Sequence, residues 1–363
     1  MTANVVRTKL LCLFVALSLS VTYFYIIRPL VLGRPNDTTN LWVFSAMSKS
    51  NPHVNSLYPA WRSRVAGLWI SGQLMDGVVR DGHLSLESLQ NAFGMYHSVW
   101  LFLFFAMLIL LVDDPLFAVA GTFACMFYMF TPKAAFYSYP WDIPAMLFFT
   151  LNYLLWRKGH YLAMLAAMFI GYLFKETIVL SGVLYFFTNL PKRHKVTYLV
   201  STVGIALLMK IAITLGVEGR VSLLTNQFTS GGQHGLFMDS TFVANLKQLV
   251  TPSLNHLVFV NGGTLVLALL LPMRNRIEQG TKTTIALFFL SSMLAGSLAE
   301  YRIFLDIVPI SLLALKDYLH HAPALCQSKS ATAGLEEVGR RKQTVGQLKK
   351  PQIASKSLSQ HAH

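Results

Sequence analysis

The chain has 363 residues, of which 54% are hydrophobic and 13% charged, with a formal net charge of +14. A soluble domain of this size carries more charge on its surface, and the apolar residues here fall in runs of about 15 to 25, long enough to cross a hydrocarbon core of ~30 Å. The basic residues sit in short clusters between those runs and in the C-terminal stretch, with no zinc-ligand spacing or nucleic-acid motif beside them, which excludes a nucleic-acid partner and points to loops facing anionic lipid.

The first apolar run extends from Leu10 to Leu32 behind Arg7 and Lys9. It is longer than a signal-peptide core and closes on no small-residue cleavage site, so it reads as an uncleaved first helix. A long loop over 33–90 follows. Within it lie Asp37, in the sequon Asn36-Asp-Thr38, the aromatic and basic stretch Tyr58-Pro-Ala-Trp-Arg-Ser-Arg64, and an apolar segment from Val65 to Leu74 suited to lie in the membrane interface as a helix. Further apolar windows fall at 93–112, 115–131, 142–156, 160–174, 177–190, 196–216, 255–273, 283–299 and 303–319, which makes about ten spans in all. The pair 160–174 and 177–190 is short and parted only by Lys175-Glu176, and so reads as a hairpin or as one broken helix. A second long loop, 218–254, carries Ser230-Gly-Gly-Gln-His-Gly235; without a following Lys and Ser or Thr it is a flexible segment and not a phosphate-binding loop.

The expected fold class is therefore an all-α, polytopic helical membrane protein. Residues 1–322 form the transmembrane domain, and 323–363 form a disordered basic tail rich in Ser, Lys and Gln. Orientation follows from the short loops. Arg157-Lys158, the Lys192-Arg-His-Lys195 cluster and Arg274, Arg276 and Lys282 share one side with Arg7, Lys9 and the tail, whereas the opposite short loops carry only Lys133, Lys175 and Arg302. The positive-inside rule then places both termini in the cytoplasm. Cys12, Cys125 and Cys326 lie in two apolar runs and the tail, a pattern of neither a disulfide framework nor a metal site.

Ionisable residues at or within apolar runs are costly and so mark candidate sites. Here they gather at the outer ends of the helices. Tyr139, Trp141 and Asp142 open the fourth span; Asp142 fits a helix N-cap with Pro144 in the first turn, while the aromatic pair with a carboxylate also suits a sugar or headgroup cleft. Lys175 and Glu176 point to different sides of a helix and so each needs a partner elsewhere. Glu300-Tyr-Arg302 opens the last span, with Asp306 placed to pair with Arg302 at i,i+4 or to leave Arg302 for a phosphate. Lys210 lies toward the outer end of its span, where it either snorkels or, if deep and facing one cavity with Asp306, favours transport. Asp113-Asp-Pro115 reads as a cap of the third span.

Taken together, Tyr58-Pro-Ala-Trp-Arg-Ser-Arg64, Tyr139-Pro-Trp-Asp-Ile-Pro144, Arg157-Lys-Gly-His-Tyr161, Phe174-Lys-Glu-Thr177 and Glu300-Tyr-Arg302 with Pro309 resemble bacterial multi-pass glycosyltransferases of the GT-C type. The resemblance implies transfer of a sugar from a polyprenyl-phosphate donor to an acceptor on the outer face of the bacterial inner membrane. In that scheme Asp37 is the catalytic base; Arg64, Lys175 and Arg302 face the lipid phosphate; Tyr139, Trp141, Asp142, Glu176 and Glu300 orient substrate. With no Asp-x-Asp in the chain, no metal or other cofactor is expected. The expected partners are the lipid-linked sugar and membrane lipid. The alternatives are a transporter or flippase, which would set charged groups near the bilayer midplane on broken helices, and a non-catalytic partner in envelope polysaccharide synthesis.

Overall fold

A computed structural model of the chain describes residues 3–30, 43–49, 64–78, 86–129, 139–218, 245–246, 264–273, 275–295 and 301–319, and every regular element among them is helical. The chain divides into two compact units, Met1–Leu315 and Lys316–His363; in the second, 316–319 are described and helical. The expected tail over 323–363 lies outside the described residues, as does most of the loop 218–254.

The first unit contains α1 (Ala3–Leu30), α2 (Val65–Val78), α3 (Leu86–Leu111), α4 (Pro115–Met129), α5 (Asp142–Arg157) and α6 (Tyr161–Tyr172). A 3-10 helix (Glu176–Phe187) follows, then α7 (Lys192–Ile213) with a π-helical turn (Thr214–Glu218), α8 (Thr264–Leu270), α9 (Arg276–Ala295) and a second 3-10 helix (Tyr301–Ile307) that continues as α-helix from 308.

Three stretches, Val5–Tyr25, Gln90–Leu111 and Lys192–Gly216, are single helices long and apolar enough to cross a membrane. Their outward faces are apolar: Leu10, Leu11, Phe14 and Leu17 on α1, and Val196, Val200, Val203, Leu207 and Leu208 on α7, are all exposed. Phe104, Phe105, Phe149, Phe288 and Phe304 fill the interior. An apolar surface over an aromatic core is what a lipid-facing bundle requires, since lipid offers no reason to hide a leucine.

Among the described residues three is fewer than the ten spans expected from apolar windows; the windows 115–131, 255–273 and 283–299 run partly outside those residues, and others hold short helices. The helices α5 and α6 hold 16 and 12 residues, so at ~1.5 Å per residue they reach only about 18 to 24 Å. The 20-residue α9 opens with Arg276, Glu278 and Lys282.

The helices run in alternating directions along the chain, which sorts the charges to two ends. Phe24 of α1 lies against Gly94 of α3, and near the other end Lys9 Nζ donates to Leu110 O at 3.2 Å. The start of α3 meets the start of α5, where the Tyr96 hydroxyl donates to Pro140 O at 2.6 Å. At the far end of α5, Tyr153 and Thr281 hydroxyls lie 3.0 Å apart, Gly280 abuts the Trp156 ring, and Arg276 donates to Asn189 Oδ1 at 2.9 Å. Lys9, Arg157, Lys195 and Arg276 thus share one end of the bundle. Asp114 caps α4 there, its carboxylate accepting the Phe117 N–H at 3.3 Å.

The Lys175-Glu176 break proves to be the tip of a helical hairpin. The Tyr185 hydroxyl donates to Tyr161 O at 2.9 Å, which fixes the end of the 3-10 arm beside the start of α6. Gly159, with φ 76°, makes the turn that feeds the hairpin, a conformation a side chain would strain. The segment expected at the interface is the helix α2, lodged against the tip: its Ala66 N–H donates to Leu173 O at 3.0 Å, and Gly67 fits against the Pro140 carbonyl. Its Trp69 is 57% exposed.

Candidate functional site

The end of the bundle away from the basic clusters is built where four separated stretches meet: the entry to α2, the turn into α5, the hairpin tip and the second 3-10 helix. Arg64 stands immediately before α2, its carbonyl accepting the Leu68 N–H at 3.3 Å. From there one edge of its guanidinium reaches Glu176, Nη2 to Oε1 at 3.2 Å and Nε to Oε2 at 3.5 Å. Its face lies over the Trp141 ring at 4.6 Å, a cation–π contact. Lys175 is extended (φ −158°, ψ 125°), so its side chain diverges from that of its neighbour. Its Nζ meets Asp306 Oδ2 at 2.8 Å, and the Thr177 hydroxyl donates to the same oxygen at 3.4 Å. Asp306 is fully buried, and its Oδ1 has no hydrogen-bond partner.

Lys175 and Glu176 do each take a partner from a distant stretch. Asp306, at i,i+4 from Arg302 in sequence, pairs with Lys175. The side chain of Arg302 lies outside the described residues, although its backbone opens the second 3-10 helix; Asp37 and Glu300 lie wholly outside them. Of the other sequence-selected residues, the structure brings together Arg64, Tyr139, Trp141, Asp142, Lys175 and Glu176.

The turn into α5 differs from the expected cap. Trp141 is the N-cap residue, without a side-chain cap bond, and Asp142 is the first helical residue. The Asp142 carboxylate folds back to accept the Tyr139 N–H at 2.9 Å, while the Asp142 N–H donates to Tyr139 O at 3.1 Å. This closed turn sets the Tyr139 and Trp141 rings 4.8 Å apart and leaves a negative charge on the first turn, where the helix dipole favours it. Lys210 is 9% exposed, the deeper of its two expected positions.

The same turn rests on His97, which the sequence reading passed over. Its Nδ1 lies 3.0 Å from Phe93 O and its Nε2 lies 3.3 Å from Tyr139 O, with the ring stacked on Phe93 at 4.2 Å. The available signal was a lone polar ring in the apolar run 93–112, which a membrane span rarely tolerates without a reason. The Asp142 carboxylate is close enough to act on the charge of His97, Tyr96, Tyr23 and Asp306.

Burial pushes the Glu176 carboxyl upward, but Arg64, through its charge and its hydrogen bonds, with a backbone N–H and the Lys175 charge, holds it below the ordinary value of 4.5. Both cations of the cluster are thereby matched to carboxylates, and such a pair offers no net charge to an anion until a partner moves. Among the described residues no group of three His, Cys, Asp or Glu side chains is gathered for a metal.

The described residues define an all-helical bundle with membrane-length apolar helices and an ion-paired polar cluster at the end opposite its basic clusters. Comparison with protein-family models, with curated proteins and with solved structures finds no match to the chain.

Proposed function

We propose that this protein is a GT-C-like membrane glycosyltransferase that moves a sugar from a polyprenyl-phosphate donor to an acceptor on the non-cytoplasmic face. The observation that carries the reading is the meeting of Arg64, Trp141, Asp142, Lys175, Glu176 and Asp306, drawn from four distant stretches, at the end away from Lys9, Arg157, Lys195 and Arg276. Desolvating that many ionisable groups is costly, and a purely structural end needs none of them. In this reading the basic end faces the cytoplasm of a bacterial inner membrane, and about ten helical segments, the shorter ones included, pass between the two ends. Asp37 takes the proton of the acceptor hydroxyl, Arg64, Lys175 and Arg302 handle the departing lipid phosphate, and Tyr139, Trp141, Asp142, Glu176 and Glu300 orient the substrate. The reading requires no metal or cofactor.

Sugar transfer by membranes containing the Asp37→Asn variant tests the base. Turnover is expected to fall by at least about a hundredfold, and unchanged transfer removes Asp37 from the mechanism. A second reading, transport of a lipid-linked or polar solute, is favoured by one observation: a hairpin with a 3-10 arm carries a buried Lys175–Asp306 pair at its tip, as broken transporter helices carry theirs. Solute flux across proteoliposomes without any sugar product decides for it.

A further inference from the structure

Arg64 and Lys175 are the described cations that a phosphate-bearing substrate would use, yet each already holds a carboxylate. We infer that these two ion pairs form a two-stage latch over an anion site: Glu176 and Asp306 occupy the cations at rest, and a phosphate-bearing ligand displaces them in turn, Arg64 first. The inference rests on the reading of this end as one that handles phosphate, and it adds how access to it is controlled.

Burial sets the order. The side chains of Arg64 and Glu176 are 14% and 16% exposed, whereas those of Lys175 and Asp306 are 7% and 0% exposed. An arriving anion therefore meets the outer pair first. That pair is also the easier to exchange, because solvent screens it more than the inner one. The guanidinium can keep its face on Trp141 while its edge trades carboxylate oxygens for phosphate oxygens, since both acceptors suit the same planar fork.

The outer exchange then bears on the inner pair. Glu176 and Lys175 are consecutive at the hairpin tip, so both exchanges fall on one stretch of backbone. Arg64 is also close enough to Asp306 to act on its charge, so drawing Arg64 toward an external anion weakens the hold on the inner carboxylate. Among the described residues Asp306 is incompletely satisfied, with Oδ1 buried and unpartnered, and the Thr177 hydroxyl remains on Oδ2 when Lys175 leaves.

The test reads anion binding directly, on the full-length protein in nanodiscs of neutral lipid. One arm adds inorganic phosphate and follows binding by calorimetry; the other dopes the nanodiscs with phosphatidic acid and counts retained lipid by native mass spectrometry. Glu176→Gln removes the internal competitor and is expected to tighten binding about fivefold. Glu176→Asp, which keeps the charge but shortens its reach, is expected to fall between wild type and Glu176→Gln. Adding Arg64→Gln to Glu176→Gln is expected to abolish the gain. A gain in the phosphatidic acid arm alone identifies a lipid headgroup, and a gain with inorganic phosphate identifies the free anion. Binding that is unchanged or weaker in both Glu176 variants, in both arms, overturns the latch. Because no sugar transfer is read, a gain in a protein without transferase activity sinks only the enzyme reading, and transferase activity without a gain sinks only the latch.

Discussion

Lys175 and Asp306 form the most deeply buried ion pair in the described cluster, and the two residues contribute very differently as a pair and apart. A paired buried charge roughly offsets its own desolvation, while a carboxylate abandoned in the interior does not. Lys175→Met is therefore expected to destabilise the protein by about 3 to 5 kcal/mol, whereas Lys175→Met combined with Asp306→Leu recovers most of that loss; thermal unfolding in detergent measures both. Glu176 yields a pH prediction. Its folded-state pKa lies below 4.5, so its stabilisation is complete above the unfolded value and fades as the pH falls through the folded one. Wild type should lose thermal stability below about pH 4.5 more steeply than Glu176→Gln, and identical acid profiles would show that Arg64 contributes nothing through this pair. The need of Lys175 and Glu176 for distant partners was legible from their adjacency at the edge of an apolar run. Which partners they take was not, because Arg64–Glu176 and Lys175–Asp306 join stretches more than a hundred residues apart, and i,i+4 arithmetic favoured Arg302 for Asp306.

Among the elements, α2 shows how close approach replaces side-chain packing. A Cβ on Gly72 would stand 2.6 Å from the Met47 carbonyl carbon, which is backbone and cannot swing aside, whereas one on Gly77 would meet nothing within 4 Å. Gly72→Ala is accordingly expected to cost about 1 to 3 kcal/mol as the 43–49 segment is forced away. Gly77→Ala, on the open face of the same helix, is expected to gain up to about 1 kcal/mol from helix propensity. Thermal unfolding of the two variants side by side checks the contrast. The existence of α2 was visible in its apolar composition, as was the cap Asp114 provides for α4. The register of the cap at Trp141-Asp142 was missed by one residue, because a carboxylate that accepts the Tyr139 N–H looks the same in sequence as one that caps the helix beyond it. The 3-10 winding of Glu176–Phe187 left no trace in the sequence either: its apolar spacing fits an α-helix as well, and the choice is made by packing against α6, α7 and α9.

At the scale of the whole molecule, composition alone carried the membrane-compatible helical class, and the spacing of basic residues carried their segregation to one end. The number of full-length spans did not come through: the windows 142–156 and 160–174 match α5 and α6 closely in extent, yet those helices are too short to cross. Segregation of charge supports a test of sidedness: cysteines introduced as Lys158→Cys and Trp69→Cys should react with a membrane-impermeant maleimide from opposite faces, position 69 in intact cells and position 158 only after lysis. Reaction of both from one face would remove the positive-inside assignment. The hairpin has a mechanical corollary. Its 12-residue 3-10 arm rises ~2.0 Å per residue where an α-helix rises ~1.5 Å, so rewinding that arm would shorten it by about 6 Å. With its foot pinned by Tyr185 to Tyr161, the whole displacement would fall on the tip, roughly twice the reach of either salt bridge. A change of helical pitch in this arm would thus break both charge pairs at its tip.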